Sequence, residues 1–422
     1  MTSRMNIFDY FKTMAATNFP ALTHKNFRIY WLGQCVSLIG TWAQSIGQTW
    51  LVLSLTGSPL LLGILGAVQF LPITLFSLFA GVIIDRYPKK QIILMTQFTS
   101  MILAFTLSAL VFTHTVTYEY ILILALILGF SNTLDMPSRQ AFTIELAGKK
   151  DLMNAIALNS ATFNLARIIG PAIGALLMAS FGAGWCFLLN GFSFLAVIVS
   201  LLKVKVTPYV RKKISDNNMI KEIKDGLKYI TREPALLQTI LLVLIIGIFV
   251  FNFNILIPVF TKNILHQQER IYGLLMSALG VGSLIGALMV SVKSISGPNM
   301  KVLLKSSVMI SITLILISFT RNYYYTAILL VITGIFNIWF STTANSTLQI
   351  TTKDEYRGRV MSVYSLVFAG ASPIGNMFAG LTTDLLGANT AFFLSGIMTL
   401  VLIGLLRLYF KLRQVQVKPQ LN

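Results

Sequence analysis

Acidic residues are scarce in this chain: 14 Asp and Glu stand against 33 Lys and Arg, and charged side chains of both signs make up only 11% of 422 residues. Soluble domains carry roughly 25%, so a water-soluble globule is disfavoured. Cysteine is limited to Cys35 and Cys186, both in or beside apolar stretches, which excludes a disulfide framework and a cysteine metal site. The three histidines, His24, His114 and His266, are scattered near loops and form no metal-ligating group. There is no glycine-rich phosphate loop ending in Lys-Ser or Lys-Thr, so no ATP-driven step is expected of this chain alone, and no cofactor is expected. With Asp9 and Lys12 in the first twenty residues and no compact apolar core, no cleaved signal peptide is read there. Nucleophile, base and metal constellations are lacking as well. The chain does not read as an enzyme.

What is abundant is apolar sequence, 55% of the chain, gathered in blocks of bilayer length rather than in amphipathic stripes. Alternating segments of about ten residues, the mark of a membrane β-barrel, do not occur. The blocks predict an all-α integral membrane fold of twelve transmembrane helices: Phe27–Leu53, Leu60–Ile84, Ile92–Phe112, Tyr120–Phe142, Leu152–Phe181, Cys186–Leu202, Leu236–Phe260, Ile271–Val292, Val302–Phe319, Tyr324–Gln349, Val360–Leu381 and Ala391–Phe410. Each must be helical, because lipid offers backbone N–H and C=O groups no partner.

The net charge of +19 raises nucleic acid as a partner, but the basic residues sit in short connectors, not on a basic face interleaved with aromatics. With the N-terminus inside, 28 of the 33 Lys and Arg fall on the cytoplasmic side, three (Lys262, Arg270, Arg321) on the other, and Arg139 and Arg167 within spans. That asymmetry predicts both termini in the cytoplasm of a cell-membrane protein.

Five segments follow. Residues 1–25 form an N-terminal segment, 26–202 a first bundle of six helices, 203–235 a basic linker, 236–410 a second bundle of six, and 411–422 a tail. In the linker, Ile220, Ile223, Leu227 and Ile230 recur at helical spacing among Lys221, Lys224 and Lys228, behind Arg211, Lys212 and Lys213. This predicts an amphipathic helix, either lying on the anionic inner leaflet or simply solvated. The bundles echo each other at an offset of about 202 residues: Lys150-Asp151 followed by Gly170-Pro171 and Gly174 recurs as Lys353-Asp354 followed by Pro373 and Gly375. Duplicated halves enclosing a path between them are an architecture of secondary transporters.

The sharpest local signal closes the second span. Gly81 permits close helix approach, Asp85 can accept from N–H groups opening a neighbouring helix, and Arg86, Lys89 and Lys90 supply charges for a gate. A snorkelling basic anchor would need no Asp.

Gly81-x-x-x-Asp85-Arg86-x-x-Lys89-Lys90 resembles the loop motif of the major facilitator superfamily. Asn26-Phe27-Arg28 with Trp31, Gly33 and Gln34, Asp135-x-Pro137-x-Arg139-Gln140, and Arg357-Gly358-Arg359-Val360-Met361-Ser362 resemble its drug and siderophore efflux branch, which includes macrolide exporters and catecholate-siderophore (enterobactin-type) exporters. The likeness covers nearly the whole chain, implies two pseudo-symmetric six-helix bundles, and specifies no substrate. In the second half the motif is degraded, with Val290 at the Asp position after Gly286. Gly170-Pro171-x-x-Gly174 resembles a motif associated with antiporters, although Ala166 and Ala175 replace its outer glycines; ordinary small-residue packing, with Gly280, Gly282 and Gly286 as a matching surface, fits nearly as well.

Two intramembrane charges stand out. Asp135 either binds the coupling proton or simply neutralises Arg139 four residues on. Arg167 either recognises an anion or dipole from a cavity or makes a structural pair. Gln34, Ser37, Thr41, Gln44 and Gln48 share one face of the first span and read as lining water or substrate, or as interhelical hydrogen bonding. The resemblance implies a cavity lined by the first, fourth, seventh and tenth helices, bringing in Asn252, Asn254 and Asn337. Taken together, the expectation is a monomeric, proton-coupled alternating-access exporter of an amphiphilic small molecule, with Arg357 and Arg359 joining the latch at Asp85. The rivals are an importer or facilitator on the same fold and a non-transporting sensor or assembly factor.

Overall fold

The structure, a computed structural model, describes residues 18–205, 219–293 and 299–417. Arg211, Lys212 and Lys213 lie outside the described residues, as do the side chains of Asp85, Ile220, Lys221 and Ile223.

A short 3-10 turn at Pro20–Thr23 leads into α1 (Lys25–Thr56), α2 (Pro59–Arg86), α3 (Lys89–Phe112), α4 (Tyr118–Gly148), α5 (Lys150–Phe181) and α6 (Gly184–Lys203). The linker helix α7 (Met219–Arg232) follows, then α8 (Pro234–Phe249), α9 (Phe253–Asn263), α10 (Glu269–Lys293), α11 (Met300–Phe319), α12 (Tyr323–Thr351) and α13 (Asp354–Val417). Among the described residues, ten segments are long and apolar enough to cross a membrane; the last, Asp354–Leu412, turns at Gly387 and so holds two arms. The polar stripe keeps α1 out of that group, although its 32 residues would span about 48 Å at 1.5 Å each.

The corners carry the duplication. Gly182 closes α5 at φ 91 and ψ 167, and Gly387, 205 positions later, turns α13 at φ 82 and ψ 159. A side chain at such positive φ is strained, which accounts for glycine at both.

One face of the molecule is defined by the start of α1, the α2–α3 and α4–α5 turns, the end of α6, and α7. Lys90 Nζ donates to the Val204 carbonyl there (2.8 Å), His24 pairs with Asp151 (2.7 Å), and the Ala21 N–H donates to Asn154 Oδ1 (3.2 Å). We call it the linker face and the opposite one the far face.

The apolar core distinguishes these faces. One large buried cluster draws on both halves, from Val52, Leu53, Leu62 and Leu65 to Val259, Phe260, Tyr272 and Leu275. Its first-half members keep to the far-face side, while in the second half it runs on to Leu303 and Ile403, and separate clusters stand beside it toward the linker face. Phe27, Tyr30, Phe142 and Val197 form one in the first half, Ala80, Ile84 and Ile92 a smaller one beside it, and Ile230, Leu236, Leu348 and Val360 one in the second half.

Two expectations change. The seventh span, read as continuous from Leu236 to Phe260, is broken at Val250, Phe251 and Asn252 between α8 and α9. The linker helix does not offer its whole apolar face to lipid. Tyr229 stacks on Tyr356 (centroids 4.3 Å, 4° between planes), Ile230 is buried against the second half, and Arg359 approaches Asp225. Packing on a protein surface buries that side more completely than the membrane interface would.

Candidate functional site

Between the halves, the far face is closed. Ser58 Oγ and the Leu60 N–H donate to Asp384 Oδ1 (3.0 and 3.4 Å), and Lys262 Nζ donates to the Leu53 carbonyl (3.2 Å). Trp50 stacks on Tyr272, 5.7 Å between centroids. Glycines let α2 meet α13: a Cβ at Gly63 would lie 2.6 Å from the Asn376 carbonyl oxygen. At mid-depth Ser277 Oγ donates to the Ile168 carbonyl and Thr74 Oγ1 to the Ala369 carbonyl.

On the linker face, the residues expected at a gate bind inside their own halves. Lys89 pairs with Glu145 (3.2 Å), Lys90 holds Val204, and Arg86 is exposed at the end of α2; Asp85 is on the same helix, as is Gly81, which is half-buried. In the second half Arg357 pairs with Asp354 (2.5 Å) and donates to the Gln349 carbonyl, while Arg359 lies over the Tyr356 ring (5.4 Å) near Asp225.

Asp135 is buried on α4 with both oxygens engaged. Thr96 Oγ1 (2.6 Å) and Gln97 Nε2 (3.1 Å) donate to Oδ1, and Arg139 Nε donates to Oδ2. Two α3 side chains thus hold the acid from one side and the next turn of α4 neutralises it from the other. A charge placed centrally in a bilayer costs roughly 2.5–3.5 kcal/mol by insertion scales, and this arrangement offsets that cost within one half.

The stripe on α1 divides. Gln34, Ser37, Gln44 and Gln48 are buried inside the first half, whereas Thr41 is exposed and donates to the Ser37 carbonyl. Gln34 Nε2 donates to Tyr30 Oη, and Gln44 Oε1 accepts from Asn190 Nδ2 on α6 (2.7 Å). Gln44 and Gln48 line a small crevice against Leu103, Leu107 and Leu124. The glycines between them decide this direction: Gly33, Gly40 and Gly47 leave no room for a Cβ beside Ser200, Ser193 and Cys186. They draw that side of α1 onto α6.

Gly170 and Gly174 face α1, where a Cβ would meet the Ile39 and Ala43 carbonyl oxygens at 2.9 Å, while the Pro171 carbonyl lies 2.8 Å from a Cβ at Gly273 on α10. Of the glycines expected to match them, Gly280 meets α5 at the Arg167 carbonyl (2.9 Å), but Gly282 and Gly286 pack on α12 at Val331 and Ile335. Arg167 itself is half-buried, its guanidinium over the Trp42 ring at 5.9 Å.

Sequence reasoning missed the break before α9. Asn252 donates its Nδ2 to the Ile248 carbonyl (2.6 Å), tying off the end of α8, and Gly375 gives it space, since a Cβ there would lie 2.7 Å from both Asn252 Oδ1 and Ile248 O. The available signal was Asn252-Phe253-Asn254 inside an apolar run, followed by Pro258, which has no N–H to continue the ladder. Asn254 is exposed; Asn337 is buried on α12.

Two helical halves with a duplicated pattern, joined at the far face, and a seventh span broken at Asn252 go with a major facilitator-type membrane transporter of small molecules. The chain belongs to the family described as transmembrane secretion effector, which it matches over residues 16–421. Among similar proteins, the staphyloferrin A transporter of Staphylococcus aureus is 29% identical over 90% of this chain and 94% of its own length. The multidrug efflux pump Tap of Mycolicibacterium fortuitum is 25% identical (87% and 91% covered), and macrolide efflux protein A of Streptococcus pyogenes is 22% identical (93% and 98% covered). The fold is like that of the nucleoside transporter NupG, with TM-score 0.72 at 11% identity, covering 92% of this chain and 98% of that one. It is also like a bacterial homologue of the human lysosomal transporter Spinster in an inward-facing, unoccupied conformation, with TM-score 0.71 at 13% identity, covering 90% and 95%. The expected resemblance and the all-helical major facilitator fold stand on these likenesses, the count of twelve spans remaining an expectation, and the chain is a transporter, not an enzyme.

Proposed function

We propose that this chain is a secondary active exporter of an amphiphilic small molecule, working by alternating access and driven by proton entry. The observation that carries the reading is the divided core: the large apolar cluster reaches into the first half only through residues on the far-face side, and the first-half residues at the linker face pack in clusters of their own. A path between the halves is then barred at one end and open at the other. The excess of Lys and Arg on the linker face supports a cytoplasmic location for that face and for both termini. The efflux pumps among the relatives support export.

Closing the linker face would bring the end of α2, with Asp85 and Arg86, toward Arg357 and Arg359 on α13. Their present partners, Asp354 and Asp225, are weakly held surface acids that such closure can replace. Asp135 is the proposed proton carrier: a proton on its Oδ2 removes the charge that holds Arg139, and the freed guanidinium biases α4 toward a second arrangement.

The test uses a variant lacking Cys35 and Cys186, with spin labels at Gln140 and Gln349 on the linker face or at Ser54 and Gln268 on the far face. In liposomes, a rise in one distance accompanied by a fall in the other, with a population that shifts with pH, supports the reading. Invariant distances under every condition, or accumulation of cargo in cells rather than extrusion, would overturn it.

A further inference from the structure

Arg167 is the intramembrane charge that the scaffold leaves unmatched. Asp135 and Arg139 neutralise each other, and among the described residues no hydrogen bond or ion pair to the Arg167 guanidinium is found. The other described acids sit at helix ends or in connectors. At the repeat offset, Pro171 corresponds to Pro373 and Arg167 to Ala369, so the second half builds the same helix without the charge.

The direction of Arg167 follows from α5 itself, where successive residues step about 100°. Gly170 and Gly174 mark the side against α1, Ile168 and Pro171 the side against α10, and exposed Leu165 and Leu176 the side toward lipid. Position 167 falls in the sector between α1 and α10, opposite the lipid side. Those two helices meet at Trp50 and Tyr272 on the far face, and Arg167 lies on the linker side of that contact. The side chain is therefore aimed into the space between the halves. Its guanidinium lies over the Trp42 ring, and Trp42 packs edge-on with Phe163, itself 46% exposed, 5.7 Å between centroids.

We propose that Arg167, Trp42 and Phe163 form the cargo site's anion subsite, which takes a carboxylate, or a like oxyanion, attached to a flat apolar body. The cation–π contact with Trp42 holds the guanidinium near the ring and leaves its N–H fork free for two parallel bonds to the oxyanion. The aromatic faces bury the apolar body. A cation-bearing drug would meet an uncompensated positive charge here. The inference rests on the transporter reading and narrows its cargo to organic anions.

The test measures thermal unfolding of purified full-length protein with three probes of one shape: 2-naphthoate, 2-naphthamide and (2-naphthyl)trimethylammonium. Naphthoate should stabilise the wild type most. Its apparent affinity should fall roughly tenfold or more in Arg167→Gln, the loss of one charge-assisted pairing, and several-fold in Arg167→Lys, which keeps the charge but not the fork. No naphthoate response in the wild type, an equal response to the amide, or unchanged naphthoate affinity in either variant overturns the proposal. Exchange of the spin-label distances needs no ligand, so a negative naphthoate result removes the anion class alone, whereas static distances remove the transporter reading beneath it.

Discussion

Ser277 on α10 donates its hydroxyl to the Ile168 carbonyl on α5 at 2.8 Å. Thr74, 203 positions before Ser277, makes the related bond to the Ala369 carbonyl, so the two halves are tied at mid-depth by a repeated device on opposite sides of their interface. Each bond uses a short hydroxyl side chain; Gly280, one turn from Ser277, brings α10 close to the Arg167 carbonyl, and Thr74 also donates to the Phe70 carbonyl of its own helix (3.1 Å). On the rocking proposed above, these contacts persist as pivots while the far-face bonds at Ser58 and Lys262 break.

The far-face contacts should therefore set the resting population. Replacing Asp384 with Ala removes the acceptor of two hydrogen bonds, each worth about 0.5–1.5 kcal/mol, and leaves the Ser58 cap of α2 in place. The expected outcome is a several-fold larger far-open fraction with little change in thermal stability, read from the Ser54–Gln268 distance distribution. A matching loss of stability with no change in distribution would count against a gating role.

Asp135 and Arg139 can be separated by a double-mutant cycle. Asp135→Asn leaves Arg139 without its partner and should destabilise the protein by about 3 kcal/mol or less, since Arg139 is only partly buried. Adding Arg139→Gln should recover much of that stability. If Asp135 carries the proton, transport stays lost in the rescued double variant; if the pair is only structural, transport returns with stability.

The broken helix depends on Asn252. Asn252→Ala frees the Ile248 carbonyl and should cost about 1 kcal/mol, while Gly375→Ala should cost more by forcing a Cβ against the same atoms. Thermal unfolding of both variants checks the order.

The linker helix should move with the second half. Tyr229→Ala removes a stack worth about 0.5–1.5 kcal/mol beyond its buried area. Faster hydrogen exchange confined to α7 and the start of α13 is the expected result. Faster exchange in the first half instead would contradict the attachment.

Much of the fold could be read from residue order, because a bilayer allows few solutions. Apolar length and the placement of Lys and Arg located the helices, and Pro171 and Pro373 marked the repeat. Spacing alone placed Asp135 and Arg139 side by side. Facing direction was the harder question. Gln34, Ser37, Gln44 and Gln48 share a stripe that suits either water or a neighbouring helix, and the choice was made by Gly33, Gly40 and Gly47, which admit α6. Likewise Ile230 and Tyr229 look like membrane-facing residues until Tyr356, more than a hundred positions away, supplies a better surface. The break at Asn252 was hidden because an apolar run has the same composition whether it is straight or interrupted.

The shared cluster beneath Trp50 and Tyr272 gives the carrier a thermal signature. Opening the far face wets oily surface from both halves, while closing the linker face unites clusters that are each already dry. Wetting of that kind raises heat capacity, so the switching equilibrium should bend with temperature rather than follow a straight van't Hoff line, and chilling should weaken the seam that keeps the far door shut.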